Sequence, residues 1–174
     1  MGLNPSCNSV KGRAFPVVGD GPWDDTAARI IEAELDALGI PHQRTDQRTV
    51  KELLPGSWEY ELARAGINVI GGPPPPTRDV EVCRVEGALL GFTFRRAWYY
   101  WMVSGMMPLE VARRLWDDPE GKRSVRVGGH CGCPSPDEYG AYNVDGKMVV
   151  LGYHVDTVDG LRLLVEAIRG LPQG

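Results

Sequence analysis

The chain has 174 residues, of which 43% are hydrophobic, with a formal net charge of -4 and an isoelectric point near 5.4. That length suits one domain, the apolar content excludes a chain that stays disordered, and no apolar run is long enough to span a membrane. The acidic balance argues against broad nucleic-acid binding, which rests on neutralising phosphates with basic side chains. With 22 Gly and 14 Pro the chain is rich in turn formers, at about a fifth against a usual ~12%, which predicts short elements and excludes a coiled coil or helical bundle.

The opening Met-Gly-Leu-Asn-Pro-Ser-Cys carries neither the basic nor the apolar region of a secretion signal. A cytoplasmic location is therefore expected, with Cys7, Cys83, Cys131 and Cys133 as free thiols. Residues through Pro22 show no periodicity and read as an irregular arm. Asp24 or Asp25 then caps a helix with Ala27, Ile30, Ile31, Leu35 and Leu38 on one stripe, ended by Gly39 and Pro41. Residues 40–44 fit a short strand, and residues 48–54 a short helix with Val50, Leu53 and Leu54 inward. Ser57 caps a third helix carrying Trp58, Leu62 and Ala65, stopped at Gly66. Residues 67–70 read as a buried strand.

Gly71-Gly72 and the four prolines 73–76 mark the clearest boundary. A polyproline II connector there, ~3 Å per residue, divides a helix-rich part (1–72) from a strand-rich part (77–174), within one compact domain. In the second part, residues 79–85 and 89–95 are strand candidates. The aromatic run 95–103 reads as one strand closed by Ser104-Gly105, and Pro108 opens a helix through Trp116. Residues 124–127 form a short strand and 128–138 a Gly/Pro loop. Residues 139–144 and 147–155 flank Asp145-Gly146, a two-residue hairpin signal. Asp156 caps the last helix, whose stripe is Leu161, Leu164, Val165 and Ile168, with Gly170 and Pro172 as stops. The expected class is α+β, a mixed or antiparallel sheet with helices packed mainly on one face.

Two places carry candidate chemistry. Strand alternation across 95–101 sends Arg96, Trp98 and Tyr100 to one face, and Arg95, Ala97, Tyr99 and Trp101 to the other. One face belongs to the core, and the other leaves arginine and aromatics for a ligand or partner, with Arg95, Arg96 and Trp98 as the binding candidates. The residues 84–126 are also locally basic between two acidic flanks, which favours a local anion site.

The second place is Gly128-Gly129-His130-Cys131-Gly132-Cys133-Pro134. Gly128, Gly129 and His130 offer a ligand their backbone and imidazole. Cys131 and Cys133, with His130 and His154, are chemically suited to zinc, although Cys-x-Cys is tighter than the usual knuckle. As a thiol site, Cys131 or Cys133 is the nucleophile, His154 the base and Asp156 the orienting carboxylate. The favoured reading is a non-catalytic intracellular module that binds a protein partner, or assembles with itself, through its aromatic and arginine-bearing sheet, without a cofactor. The alternative is a zinc-assisted or thiol-based hydrolase or transferase built on the Gly-Gly-His-Cys-Gly-Cys-Pro loop.

Overall fold

In the computed structural model, which describes residues 13–108, 110–111, 126–127, 143–144, 147–155 and 157–172, the first helix, α1 (Asp25–Asp36), starts where Asp24 accepts a 2.9 Å hydrogen bond from the Ala27 amide. That bond satisfies one of the donors a helix leaves open at its start. The buried stripe is Ala28, Ile31 and Leu35, with Ala27 and Leu38 partly buried against the same core. Ile30, expected inside, is exposed, and Ala28 takes a buried place in the stripe instead. Gly39, at φ +66, turns the chain out of the helix.

The strand that follows, β1 (His42–Leu53), is much longer than expected and absorbs the helix expected over residues 48–54. Val50 and Leu53 satisfy helical spacing, but Arg48 through Leu53 find a complete antiparallel partner in β2 (Thr77–Leu89). Charge pairs then match across the ladder, with Lys51 to Asp79 at 3.1 Å and Glu52 to Arg78 at 2.6 Å. Thr49 adds a hydroxyl bond to Glu81. A bulge between Thr45 and Arg48, with Asp46 at φ +50, shifts the register.

Between the two strands lies α2 (Trp58–Arg64), capped by Ser57 as expected but burying no side chain. Residues 67–70 are not a strand; Ile67, Val69 and Ile70 are exposed. Apolar composition alone did not make them pair, because the following prolines bring no amide donors to a ladder. The proline run joins two strands of one sheet: β1, before it, pairs with β2, after it.

The three strands expected at 79–85, 89–95 and 95–103 are present with shifted bounds, and two tight turns join them as consecutive hairpins. β2 meets β3 (Phe92–Ala97) through Leu90 and Gly91, both at positive φ, as a primed two-residue turn requires. β3 meets β4 (Tyr100–Pro108) through Trp98 and Tyr99, with Trp98 at φ +38. Pro108 is thus the last residue of a strand and not the first of a helix; of the helix expected from it, residues 110–111 are helical, while 109 and 112–116 lie outside the described residues.

β5 (Arg126–Val127), β6 (Asn143–Val144) and β7 (Lys147–Val155) complete the sheet, and Val144 pairs with Lys147 across the expected two-residue connection. The order is β1-β2-β3-β4-β7-β5, with β6 also on β7, and every ladder is antiparallel. The last helix, α3 (Val158–Arg169), is capped by Thr157, which accepts from the Gly160 amide at 3.1 Å; it was expected to be capped by Asp156. Its stripe of Leu161, Leu164, Val165 and Ile168 is fully buried, each side chain worth ~1.5–3 kcal/mol.

One core lies between the helices and one face of the sheet. It joins Ile31 and Leu35 of α1 and the α3 stripe to Phe92, Phe94, Trp101, Val103, Met107 and Val155. Arg169 ties the two helices by donating to the carbonyl of Leu38 at 2.7 Å. The arm expected to be irregular is docked: Phe15 and Trp23 are buried, Ala14 bridges Thr157 and Trp23 bridges Cys83.

Candidate arginine and aromatic site at the β2–β3 notch

The β3–β4 turn reverses the facing expected for a single strand. Arg96 stands opposite Trp101, not back to back with it, and both enter the core. Arg96 donates to Glu34 through Nε (2.8 Å) and Nη2 (3.0 Å), and to the carbonyls of Trp98 (2.7 Å) and Pro16 (2.6 Å). Its guanidinium also lies 5.1 Å from the centre of the Phe15 ring. Trp101 donates its indole proton to the same Glu34 carboxylate at 3.0 Å. Arg96 is thus spent on holding helix, arm and sheet together, and offers no guanidinium to an incoming ligand.

Arg95 points the other way and is 71% exposed, with one distant contact to Glu86 at 3.9 Å. On its face of β3 and β4, Tyr100, Met102 and Ser104 are half-buried and Met106 is exposed. Trp98, at the turn, is 48% exposed, while its backbone exchanges 2.9 Å bonds with Val18 and Gly19 of the arm. The Tyr99 and Tyr100 rings meet edge to face at 5.1 Å.

The β2–β3 ladder stops at the Glu86–Arg95 pair. Beyond it Trp23 takes the freed edge of β2, exchanging backbone bonds of 2.7 and 2.9 Å with Cys83. The notch so formed is a cavity of about 300 Å³ lined by Trp23, Thr45, Arg84, Glu86 and Arg95 among others. Arg84 lies 5.9 Å from the Trp23 ring centre and reaches the Asp20 carbonyl at 3.3 Å and Asp46 at 3.8 Å. Two exposed guanidiniums thus flank the notch, held by long, weak contacts that a better acceptor displaces. Composition and periodicity pointed to Arg95 but not to Arg84 or Trp23. Trp23 sits in an arm without periodicity, and Arg84 reads as an ordinary wet residue of a strand.

A separate ionic cluster joins α1 to β1. Arg44 meets Glu32 at 2.7 Å and Asp25 at 2.9 Å, and His42 meets Asp36 at 2.7 Å. The hydrogen bonds that Arg44 donates, to Glu32 first and then to Asp25, push its pKa further up. The Arg44 hydrogen bond is the main reason that Asp25 titrates below its usual value. These partners satisfy one another, and the cluster is a staple. Cys83, a free thiol, is buried, and burial chiefly pushes its pKa up; it is the opposite of an activated nucleophile.

Gly128, Gly129, His130, Cys131, Cys133 and Asp156 lie outside the described residues. His154 is on β7, in register with Met102 on one side and Arg126 on the other. The ladder irregularity between Val103 and Gly105 separates its register from that of Met148 and Val150, with which simple alternation had grouped it. Among the described residues, no group of His, Cys, Asp and Glu side chains could hold a metal ion, and no helix is long and apolar enough to cross a membrane. No family model matches the chain, and neither a curated protein nor a solved structure matches it.

Proposed function

We propose that the chain is a non-catalytic binding or assembly module that takes an acidic segment of a protein partner at the β2–β3 notch. The observation carrying this reading is the pair Arg84 and Arg95, exposed on either side of a cavity with Trp23 in its wall. A carboxylate entering there exchanges two long ionic contacts for short, charge-assisted ones. The half-buried Tyr100 and Met102 beside it supply apolar area for the rest of the segment. A cytoplasmic setting belongs to the same reading, supported by Cys83 standing as a free thiol.

The test uses a labelled peptide of alternating glutamate and leucine beside its glutamine counterpart, followed by fluorescence anisotropy. The glutamate peptide should bind, weaken with added salt, and lose at least about tenfold in affinity to the double variant Arg84→Ala, Arg95→Ala. Both arginines are exposed, so the fold survives their loss. Equal binding of the two peptides, or no effect of the double variant, overturns the reading. Sedimentation of the chain alone separates capture of a partner from self-assembly: concentration-dependent dimerisation lost in the double variant assigns the notch to a second copy.

A further inference from the structure

Because α2 buries no side chain, the segment between β1 and β2 adds nothing to the main core. It folds back towards the proline run instead: Leu54 donates to the Pro76 carbonyl (3.0 Å), and Ile67, donating to the Leu62 carbonyl (2.9 Å), turns the chain at the end of the helix. Between helix and prolines lies an open cavity of about 420 Å³, walled by Leu53, Trp58, Ala63, Val69, Pro73 and Pro75. Glu59 lines the same cavity, and its Oε2 is closed off from solvent without a hydrogen-bond partner. A carboxylate oxygen left so is uncommon in folded proteins and is costly to keep. The neighbouring Glu61 already has a partner in Arg64, at 3.7 Å. Of its lining, Trp58 is 60% exposed, Ile67 52% and Val69 49%, and Ile70, next in the chain, is 96% exposed.

We propose that this cavity is a docking site for a partner peptide that inserts a lysine or arginine side chain between apolar neighbours. The alkyl stem of such a side chain matches the aliphatic and proline walls, and its cationic head draws the Glu59 carboxylate round so that Oε2, shut off from solvent in the free chain, gains the donor it lacks. Trp58, in the same wall and 60% exposed, adds an aromatic ring to which that cation is drawn. The exposed apolar side chains of the lining favour a peptide, able to cover them, over a free amine. This site takes cationic chemistry and the β2–β3 notch anionic chemistry, so either can fail without the other.

The experiment titrates the full chain with the capped peptide Leu-Lys-Leu, its norleucine counterpart, and n-butylammonium, reading the Trp58 indole resonance by NMR. The lysine peptide should shift that resonance saturably below millimolar concentration. The norleucine peptide, and the lysine peptide against Glu59→Gln, should each bind at least about tenfold more weakly. Glu59→Gln removes a charge without a partner, so it does not threaten folding, and the norleucine arm needs no variant. No shift with the lysine peptide, or equal binding of the norleucine peptide, overturns the proposal. Binding of n-butylammonium as tight as that of the lysine peptide assigns the cavity to a small amine, and concentration-dependent shifts without any peptide assign it to a second copy; both also overturn it.

Discussion

Arg96 and Trp101 face each other across the β3–β4 ladder and donate to one and the same carboxylate, that of Glu34 on α1. The Arg96 side chain is wholly shielded from solvent, and Glu34 is its only anionic partner among the described residues. Removing the carboxylate leaves a buried guanidinium and a buried indole donor unmatched. Glu34→Ala should therefore destabilise the fold by about 3–5 kcal/mol, read as a lower denaturation midpoint at an unchanged urea slope. Arg96→Lys should also be damaging, because a lysine cannot reach two carboxylate oxygens and two carbonyls at once.

Gly105 lies under the Phe92 ring, and a Cβ built there comes within 2.3 Å of a ring carbon. Gly105→Ala should cost about 1–3 kcal/mol through overpacking. Phe92→Leu, destabilising alone, should recover part of that loss in the double variant. A double-mutant cycle by denaturation checks the coupling, and strict additivity would show that the two residues do not compete for the same space.

The α3 stripe gives a paired test on adjacent residues. Leu164 is fully buried and Leu163 is 42% exposed. Leu164→Ala should cost about 2–5 kcal/mol, whereas Leu163→Ala should stay within about 0.5 kcal/mol. Equal effects in thermal or chemical unfolding would mean that the helix presents another face to the sheet.

Asp25 supplies a pH test. Its hydrogen bond with Arg44 holds the carboxyl below its ordinary 3.8. A depressed carboxylate pKa stabilises the fold above the unfolded value, near 3.9, and that contribution is lost as the pH falls through the folded one. Because the pair is at the surface, the effect is small and fades with salt. The stability difference between the wild type and Asp25→Asn should be present at about pH 6 and vanish by about pH 2, as measured by urea denaturation at low ionic strength.

Where side chains repeat with the period of the element, the fold was legible in the sequence. The stripe Leu161, Leu164, Val165, Ile168 specifies α3, and Asp145-Gly146 places the β6–β7 connection. The failures share one cause, which is that a strand is defined by a partner distant in sequence. Residues 48–54 fit a helix locally, but their ladder partners begin some two dozen positions later, at Thr77. The aromatic run hid a turn because Trp98 occupies a left-handed conformation that glycine or asparagine usually announces. Of the candidate site, the run showed Arg95, whereas Arg96 was assigned to the wrong company by that hidden turn. Glu34 did carry a signal: it sits beside Ile31, Leu35 and Leu38 on the helical wheel, where a carboxylate needs a buried partner.

The docked arm fixes an order of events in folding. From β1 to β4, consecutive strands are neighbours, and the two turns Leu90-Gly91 and Trp98-Tyr99 close them locally. The backbone bonds that dock the arm reach distant segments: Trp23 to Cys83, Val18 to Trp98, and Arg13 to Val158 at the head of α3. During synthesis these residues emerge before their partners, the last of them at the head of α3. Short loops close at little entropic cost and long ones must await a surface that rewards them. The meander should thus form first and the arm clasp it last, with pulse-labelled amides of Phe94 and Val103 protected before those of Val18 and Trp98. A segment made before its partners becomes the latch of the finished fold.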